Sequence, residues 1–249
     1  MEEPMTRAEA FVIHVKRAVK RRPQVDELVT KLPLATTIID AVDGETLDDS
    51  TIDAHYKHKL HRPHYPFELR RNEIACFLSH RLTWQTILDR GLDAGLIVED
   101  DVQPLDDMFP QMLKLALETV QPGDFIRFPY RAYTDKGERV AGDEQTMLVQ
   151  PKLVGLGMQM QLVGREAAAE LLKVTEVFDR PVDTTIQMRW LTQMRILATR
   201  PVAIREINMQ LGGSVVQYRA PRPKSEVFAR EIKRALYRIS VRALSMARA

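Results

Sequence analysis

The chain has 249 residues, with 36 Lys and Arg against 34 Asp and Glu, for a net charge of +2. Near-neutrality excludes polyanion binding by bulk charge, a lone cysteine excludes an intrachain disulfide, and no apolar run approaches the ~18 residues of a membrane-spanning helix. The length suits one large α/β domain or two small ones. The cysteine usage and a polar N-terminal stretch without a signal-peptide pattern point to a reducing, cytoplasmic setting.

Ala10–Val15 predicts a first buried strand, followed by the basic residues Lys16, Arg17, Lys20, Arg21 and Arg22. Such a cluster is either a solvated helix start or, because it follows a strand, a phosphate-facing loop. Gln24–Lys31 reads as a helix stopped by Pro33, and Ala35–Asp40 as a second strand closed by the turn Asp43-Gly44. Leu47–Phe67 reads as an irregular polar loop. Its His55, His58, His61 and His64 recur at every third position, but Pro63, Pro66 and the absence of cysteine argue for incidental histidines rather than a metal site. Arg71–Arg90 is the strongest helix, with Asn72 as N-cap, Gly91 as C-cap and Ile74, Phe77, Leu78, Leu82, Trp84, Ile87 and Leu88 on one wide face. Cys76 falls within it, a packed and inert position.

The stretch Ala94–Val102 organises the rest. Leu96, Ile97 and Val98 form the short apolar run of a strand buried on both faces, and Glu99, Asp100 and Asp101 follow at once. Unpaired buried carboxylates are costly, so the strand is expected to surface there, at the end where open α/β sheets bind ligands. Alternation predicts Glu99 and Asp101 on one face and Asp100 on the other. Paired carboxylates at a strand end suit a hard divalent cation that also binds phosphate oxygens; the other reading is an acidic turn.

Leu105–Val120 reads as a helix bent at Pro110, Asp124–Phe128 as a strand, Tyr130–Pro151 as a hairpin-like excursion with Asp135-Lys136-Gly137 as its turn signal, and Val154–Val163 as a strand containing Gly155 and Gly157. Helices are predicted over Arg165–Val177 and Arg180–Met194, a strand over Ile196–Thr199, and a loop at Gly212-Gly213-Ser214. Alternating strands and helices predict a mostly parallel sheet. From Arg219 onward, Arg219, Arg222, Lys224, Arg230, Lys233, Arg234, Arg238, Arg242 and Arg248 face only Glu226 and Glu231, while Phe228, Ile232, Leu236, Ile239 and Ala243 recur at helical spacing. That is the pattern of a basic amphipathic helix lying on a membrane surface, or of a terminal helix packed on the domain with a solvated basic face. Nucleic acid is disfavoured, because only Phe228 and Tyr237 are available for stacking.

These pieces together resemble glycosyltransferase family 25, which includes bacterial lipooligosaccharide galactosyltransferases, over roughly residues 11–215. The similar segments are Phe11-Val-Ile-His-Val-Lys-Arg-Ala with Arg21-Arg22, Ile39-Asp-Ala-Val-Asp-Gly44, Glu73-Ile-Ala-Cys-Phe-Leu-Ser-His80 with Trp84, Leu96-Ile-Val-Glu-Asp-Asp-Val102 and Pro181-Val-Asp183. Two positions depart: Asn72 stands where the family commonly has glycine, and Gly155-Leu-Gly-Met-Gln-Met160 lacks the family's aromatic residue.

The resemblance implies a GT-A-like, Rossmann-like α/β domain over residues 1–218 with a mostly parallel central sheet flanked by helices, and a basic helical tail over 219–249. It implies an inverting hexosyltransferase that moves galactose from a UDP-sugar to a lipopolysaccharide-type glycan, at the inner face of the cytoplasmic membrane. Its metal, Mn2+, would sit on Asp101 and Glu99. Arg17, Arg21, Arg22, Ser79, His80, Glu99 and Asp100 would contact or brace the donor, and Asp183 would be the base that an inverting reaction needs. The membrane surface would be held through the tail. Two other classes use similar parts. A nucleotidyltransferase shares the sheet and carboxylates, but residues 11–22 hold no glycine-rich phosphate loop. A non-catalytic sugar-nucleotide-binding protein would fit the altered 155–160 stretch.

Overall fold

The computed structural model describes residues 6–213 and 224–247. The expected boundary at 218/219, with Ser214, Arg219, Arg222 and Arg248, lies outside them. An eight-stranded sheet forms the centre, built from β1 (Ala8–His14), β2 (Thr36–Asp40), β3 (Ala94–Glu99), β5 (Asp124–Arg127), β6 (Gly137–Gly142), β7 (Met147–Pro151), β8 (Met160–Gly164) and β9 (Arg195–Arg200), in the order β2-β1-β3-β8-β5-β9-β7-β6. Only β8 and β7 run against the rest, so the sheet is mostly parallel. A short antiparallel pair, β4 (Val102–Pro104) with β10 (Ile204–Glu206), lies beside it; neither is predicted from the sequence pattern.

Alternate side chains of the central strands feed two cores. Phe11, Ile97, Phe125 and Ile196 pack under α3 (Arg71–Asp89), α5 (Arg165–Val174) and α6 (Val182–Ile186). Ala10, Val12, Leu96, Val98 and Leu197 pack under α1 (Arg22–Lys31) and α4 (Phe109–Thr119). That two-sided demand is why Ala94–Val98 reads as an unbroken apolar run, each residue fully buried. On α3, Phe77 and Trp84 are fully buried, and burying each contributes about 1.5–3 kcal/mol.

The topology places a crevice. From β1 the chain crosses through α1 to β2 on one side, while β3 leads on toward the other half of the sheet. Neighbouring strands whose connections diverge leave an opening outside their carboxyl ends, here at His14 and at Glu99, with Ile13 in register opposite Glu99.

Several expected elements are corrected. The 47–67 stretch is not wholly irregular: α2 (Asp49–His55) forms because Asp48 Oδ1 accepts the Thr51 N–H at 2.8 Å, ahead of the prolines. The N-cap of α3 is Arg70 rather than Asn72, with Glu73 accepting the Arg70 N–H at 2.9 Å. Pro110 opens α4 instead of bending it. The hairpin turn lies at Asp143–Thr146, where Asp143 Oδ1 accepts two backbone N–H groups; Asp135 and Lys136 precede β6, which starts at Gly137. The strand expected from Val154 starts only at Met160, and the helix expected through Met194 stops at Ile186, where the β-branched Thr184, Thr185 and Ile186 are poor helix formers. The tail forms α7 (Lys224–Ala247), which docks on the domain through Tyr237.

Candidate active site

A cleft of about 780 Å³ opens at the carboxyl ends of β1 and β3. Its floor is the acidic stretch, and the three carboxylates have different surroundings. Asp100 is buried yet paired: Oδ2 meets His14 Nδ1 at 2.8 Å, and Oδ1 accepts from Arg21 Nη1 at 2.5 Å. Arg21 is itself buried and also donates to Asn208 Oδ1 and the Gly213 carbonyl. This pair locks the loop after β1 to the loop after β3. Glu99 accepts from His80 Nε2 at 3.1 Å, and Gln161 Nε2 approaches His80 Nδ1 at 3.3 Å. A donor on Nδ1 leaves the ring proton on Nε2, aimed at Glu99.

Asp101 is the under-partnered carboxylate of the site. Its Oδ2 lies 3.6 Å from Arg21 Nη1, but its buried Oδ1 has no hydrogen-bond partner. Burial, reinforced by the negative charge of Glu99, pushes this carboxyl up to about 7 against the pull of Arg21. Strand alternation ends at Glu99, so the expected opposition of Asp100 to Asp101 is only partial: both reach toward Arg21. An orphaned carboxylate oxygen beside a second carboxylate is a donor set suited to a divalent cation. Glu99 also lies in a second cluster, with Cys76 and His80, whose ligand atoms are within 4.8 Å of one another. Burial and the surrounding carboxylates push the Cys76 thiol well up, however, and metals bind the thiolate.

The far wall is a loop built around Arg127. This buried guanidinium meets Asp135 Oδ1 at 2.6 Å and donates to the carbonyls of Gly155, Leu156 and Gly157. The clamp holds 155–157 out of the sheet, which is why β8 starts late. Gly157 sits at φ +102°, a left-handed region that disfavours side chains, and its N–H donates to Asp183 Oδ2 at 3.0 Å. Thr184 Oγ1 donates to the other Asp183 oxygen at 3.1 Å. Asp183 is thereby oriented at the start of α6 and lines the cleft.

Of the residues expected from the sequence, Arg17, Arg21, Ser79, His80, Glu99, Asp100, Asp101 and Asp183 all line this cleft. Arg17 is tied to Asp43 at 2.7 Å and Glu45 at 3.0 Å. Ser79 braces: its hydroxyl accepts the Val42 N–H and donates to the Ala75 carbonyl. Arg22 is not brought to the cleft. It opens α1 and pairs with Asp26 one turn on, at an exposed surface away from the cleft lining. Among the described residues, the four histidines of 55–64 do not gather as a metal cluster. Sequence reasoning missed Tyr65, Glu206, Asn208, Arg234 and Arg238, which also line the cleft. His14 carried a readable signal, a polar residue closing an apolar strand; the others carried none, since they arrive from distant elements.

A family model described as glycosyltransferase family 25 (LPS biosynthesis protein) matches residues 7–186. The chain belongs to glycosyltransferase family 25. Among the curated relatives, procollagen galactosyltransferase 1 of Danio rerio is 34% identical over 45% of this chain and 19% of its own length. Procollagen galactosyltransferase 2 of Homo sapiens is 34% identical over 43% and 18%. The inactive glycosyltransferase 25 family member 3 of Mus musculus is 33% identical over 45% and 19%. The matched region thus spans about a fifth of those relatives. Every cleft residue from Arg17 to Asp183 falls within the family match, while Glu206, Asn208, Arg234 and Arg238 lie beyond it.

Proposed function

We propose that the chain is an inverting, metal-dependent hexosyltransferase that moves galactose from a UDP-sugar to a hydroxyl of a lipopolysaccharide, lipooligosaccharide or related surface glycan, working at the cytoplasmic face of a membrane. The observation that carries this reading is the unpartnered, buried Oδ1 of Asp101 beside Glu99, in the same cleft as an oriented Asp183. Glu99 and Asp101 would hold the divalent cation, Mn2+ in this reading, which supplies Lewis-acid neutralisation of the departing diphosphate. Arg21 and His14 hold Asp100 so that the acidic loop keeps its shape without substrate. Asp183 takes the proton of the acceptor hydroxyl. That oxygen then bonds to the anomeric carbon, and the electrons of the broken sugar–phosphate bond leave on the diphosphate. Gly157 and Thr184 each occupy one lone pair of Asp183 and leave the others for the hydroxyl.

A second reading, a sugar-nucleotide-binding protein without turnover, is favoured by the relatives named inactive and by the altered 155–160 stretch. The deciding experiment incubates the protein with labelled UDP-hexoses, with or without a lipooligosaccharide acceptor, and separately with NTPs and sugar phosphates, each with Mn2+ or EDTA. Release of UDP that requires Mn2+ and rises with acceptor supports the transferase. Pyrophosphate release from NTPs would assign a nucleotidyltransferase instead, and donor binding without turnover would assign the binding protein.

A further inference from the structure

Helix α7 is amphipathic in the reverse sense to an ordinary terminal helix. Its inward face is Tyr237 and Val241, 7% and 2% exposed, with the buried Ser245 a turn further on. Tyr237 is anchored: its hydroxyl accepts from Arg180 Nη1 at 2.7 Å, and its ring packs edge-on against Tyr65. Arg180 is fully buried and bound to Asp179 and to the carbonyls of His61 and Pro63, so the anchor reaches deep into the domain. Arg230 stacks over the Phe67 ring at 4.1 Å, and Arg234 and Arg238 line the cleft.

The apolar stripe recognised in the sequence is on roughly the opposite side at helical periodicity. Phe228, Leu236 and Ile239 are 69%, 60% and 65% exposed, and Ile232 and Met246 are exposed with them. Five large apolar side chains in a row from Phe228 to Met246, about 27 Å of helix, are more than the scattered exposure of an ordinary surface. Lys233 and Arg242, both exposed, flank this stripe on either side, and the acidic Glu231 beside it is paired with Arg234.

We infer that this outward face of α7 docks flat on an anionic lipid bilayer, the apolar stripe entering the boundary between headgroups and acyl chains and Lys233 and Arg242 meeting lipid phosphates. Charge complementarity selects this occupant. A second copy docked stripe to stripe would crowd the same cations against each other, whereas an anionic surface attracts them. The helix is held on the domain by its other face, through Tyr237 and Arg230, so docking leaves those contacts in place. Because that other face also borders the cleft, a docked protein holds its cleft beside the bilayer. No helix among the described residues is long and apolar enough to cross a membrane, and a helix lying in the interface does not require one.

Removing the helix is not the test, since Tyr237, Arg234 and Arg238 would go with it. The full chain is instead sedimented with vesicles of phosphatidylcholine and phosphatidylglycerol (3:1) and with pure phosphatidylcholine, in 0.1 M and 0.5 M NaCl, without donor or acceptor. The wild type is expected to bind the anionic vesicles at least fivefold better than the neutral ones, and less well at the higher salt. Leu236→Ser/Ile239→Ser should weaken partition tenfold or more, and Lys233→Gln/Arg242→Gln should remove most of the preference for anionic lipid. Thermal melting of both variants should match the wild type, because all four side chains are exposed. The inference is overturned if the wild type ignores anionic vesicles or if the serine variant binds as well. It is equally overturned if light scattering finds a dimer that the serine variant dissociates. The readout involves no sugar transfer, so it fails or succeeds separately from the transferase reading.

Discussion

Replacing Asp101 with Asn should stabilise the metal-free protein at neutral pH. Burial first, then the charge of Glu99, raise this carboxyl from 3.8 to about 7. Between roughly pH 4 and pH 7 the folded chain therefore keeps a proton that the unfolded chain has released. In that window the native state binds more protons than the unfolded state, so this group lowers stability as pH rises, and its cost is complete above about 7. A shift of about 3 units corresponds to at most about 4 kcal/mol. The side chain is 15% exposed and Arg21 lies nearby, so about 2–4 kcal/mol is the expected gain from an isosteric amide that never ionises. For a chain of this size that is at least ~4 °C in melting temperature. Thermal melts of wild type and Asp101→Asn at pH 4.5 and pH 8, in EDTA, should show a gap at the lower pH only about a quarter of that at the higher, the variant melting later. Added Mn2+ should then raise the wild type and leave the variant where it was. An equal gap at both pH values, or a variant no more stable at pH 8, would refute the raised carboxyl. Equal Mn2+ stabilisation of both proteins would remove Asp101 as a ligand.

Asp183→Asn should lower kcat on the order of 10²–10⁴-fold with little change in donor KM, measured by steady-state transfer assay; near-normal turnover would leave the base to another residue. Gly157→Ala should cost about 1–3 kcal/mol in urea unfolding, because φ is +102° and the new Cβ would lie 2.3 Å from Gln159 Oε1. Arg21→Met should cost about 3 kcal/mol or more by stranding the buried Asp100, while Arg22→Ala should stay within about 0.5 kcal/mol and leave UDP binding intact. Comparable losses in the two arginine variants would contradict the division between the buried and the exposed cation.

The adjacent pair Arg21-Arg22 shows where a linear reading stops. Composition and spacing treat the two alike, yet the turn that opens α1 sends one guanidinium inward to Asp100 and the other outward to Asp26. The same limit holds for Gly155 and Gly157. Their glycines read as a site of close backbone approach, but the reason is Arg127, almost thirty residues earlier, which clamps three successive carbonyls. By contrast, β3 and its acidic end were legible because a strand buried on both faces must be apolar throughout, and carboxylates can follow only where it reaches the cleft.

By itself the sequence determined the alternation of strands and helices, the acidic stretch at the end of a strand that lines the cleft, the order of motifs that marks family 25, and the apolar stripe of the last helix. Local periodicity and short motifs carry that information, because backbone geometry imposes it within a few residues. The tertiary structure alone decided which charges are partnered, which Asp101 oxygen is left bare, and which face of α7 turns to solvent. Those outcomes depend on burial and on partners brought from far along the chain, such as Asn208 on Arg21 and Tyr237 on Arg180. The energy of a charge or an apolar side chain is set by what surrounds it in space, not by its neighbours in the chain.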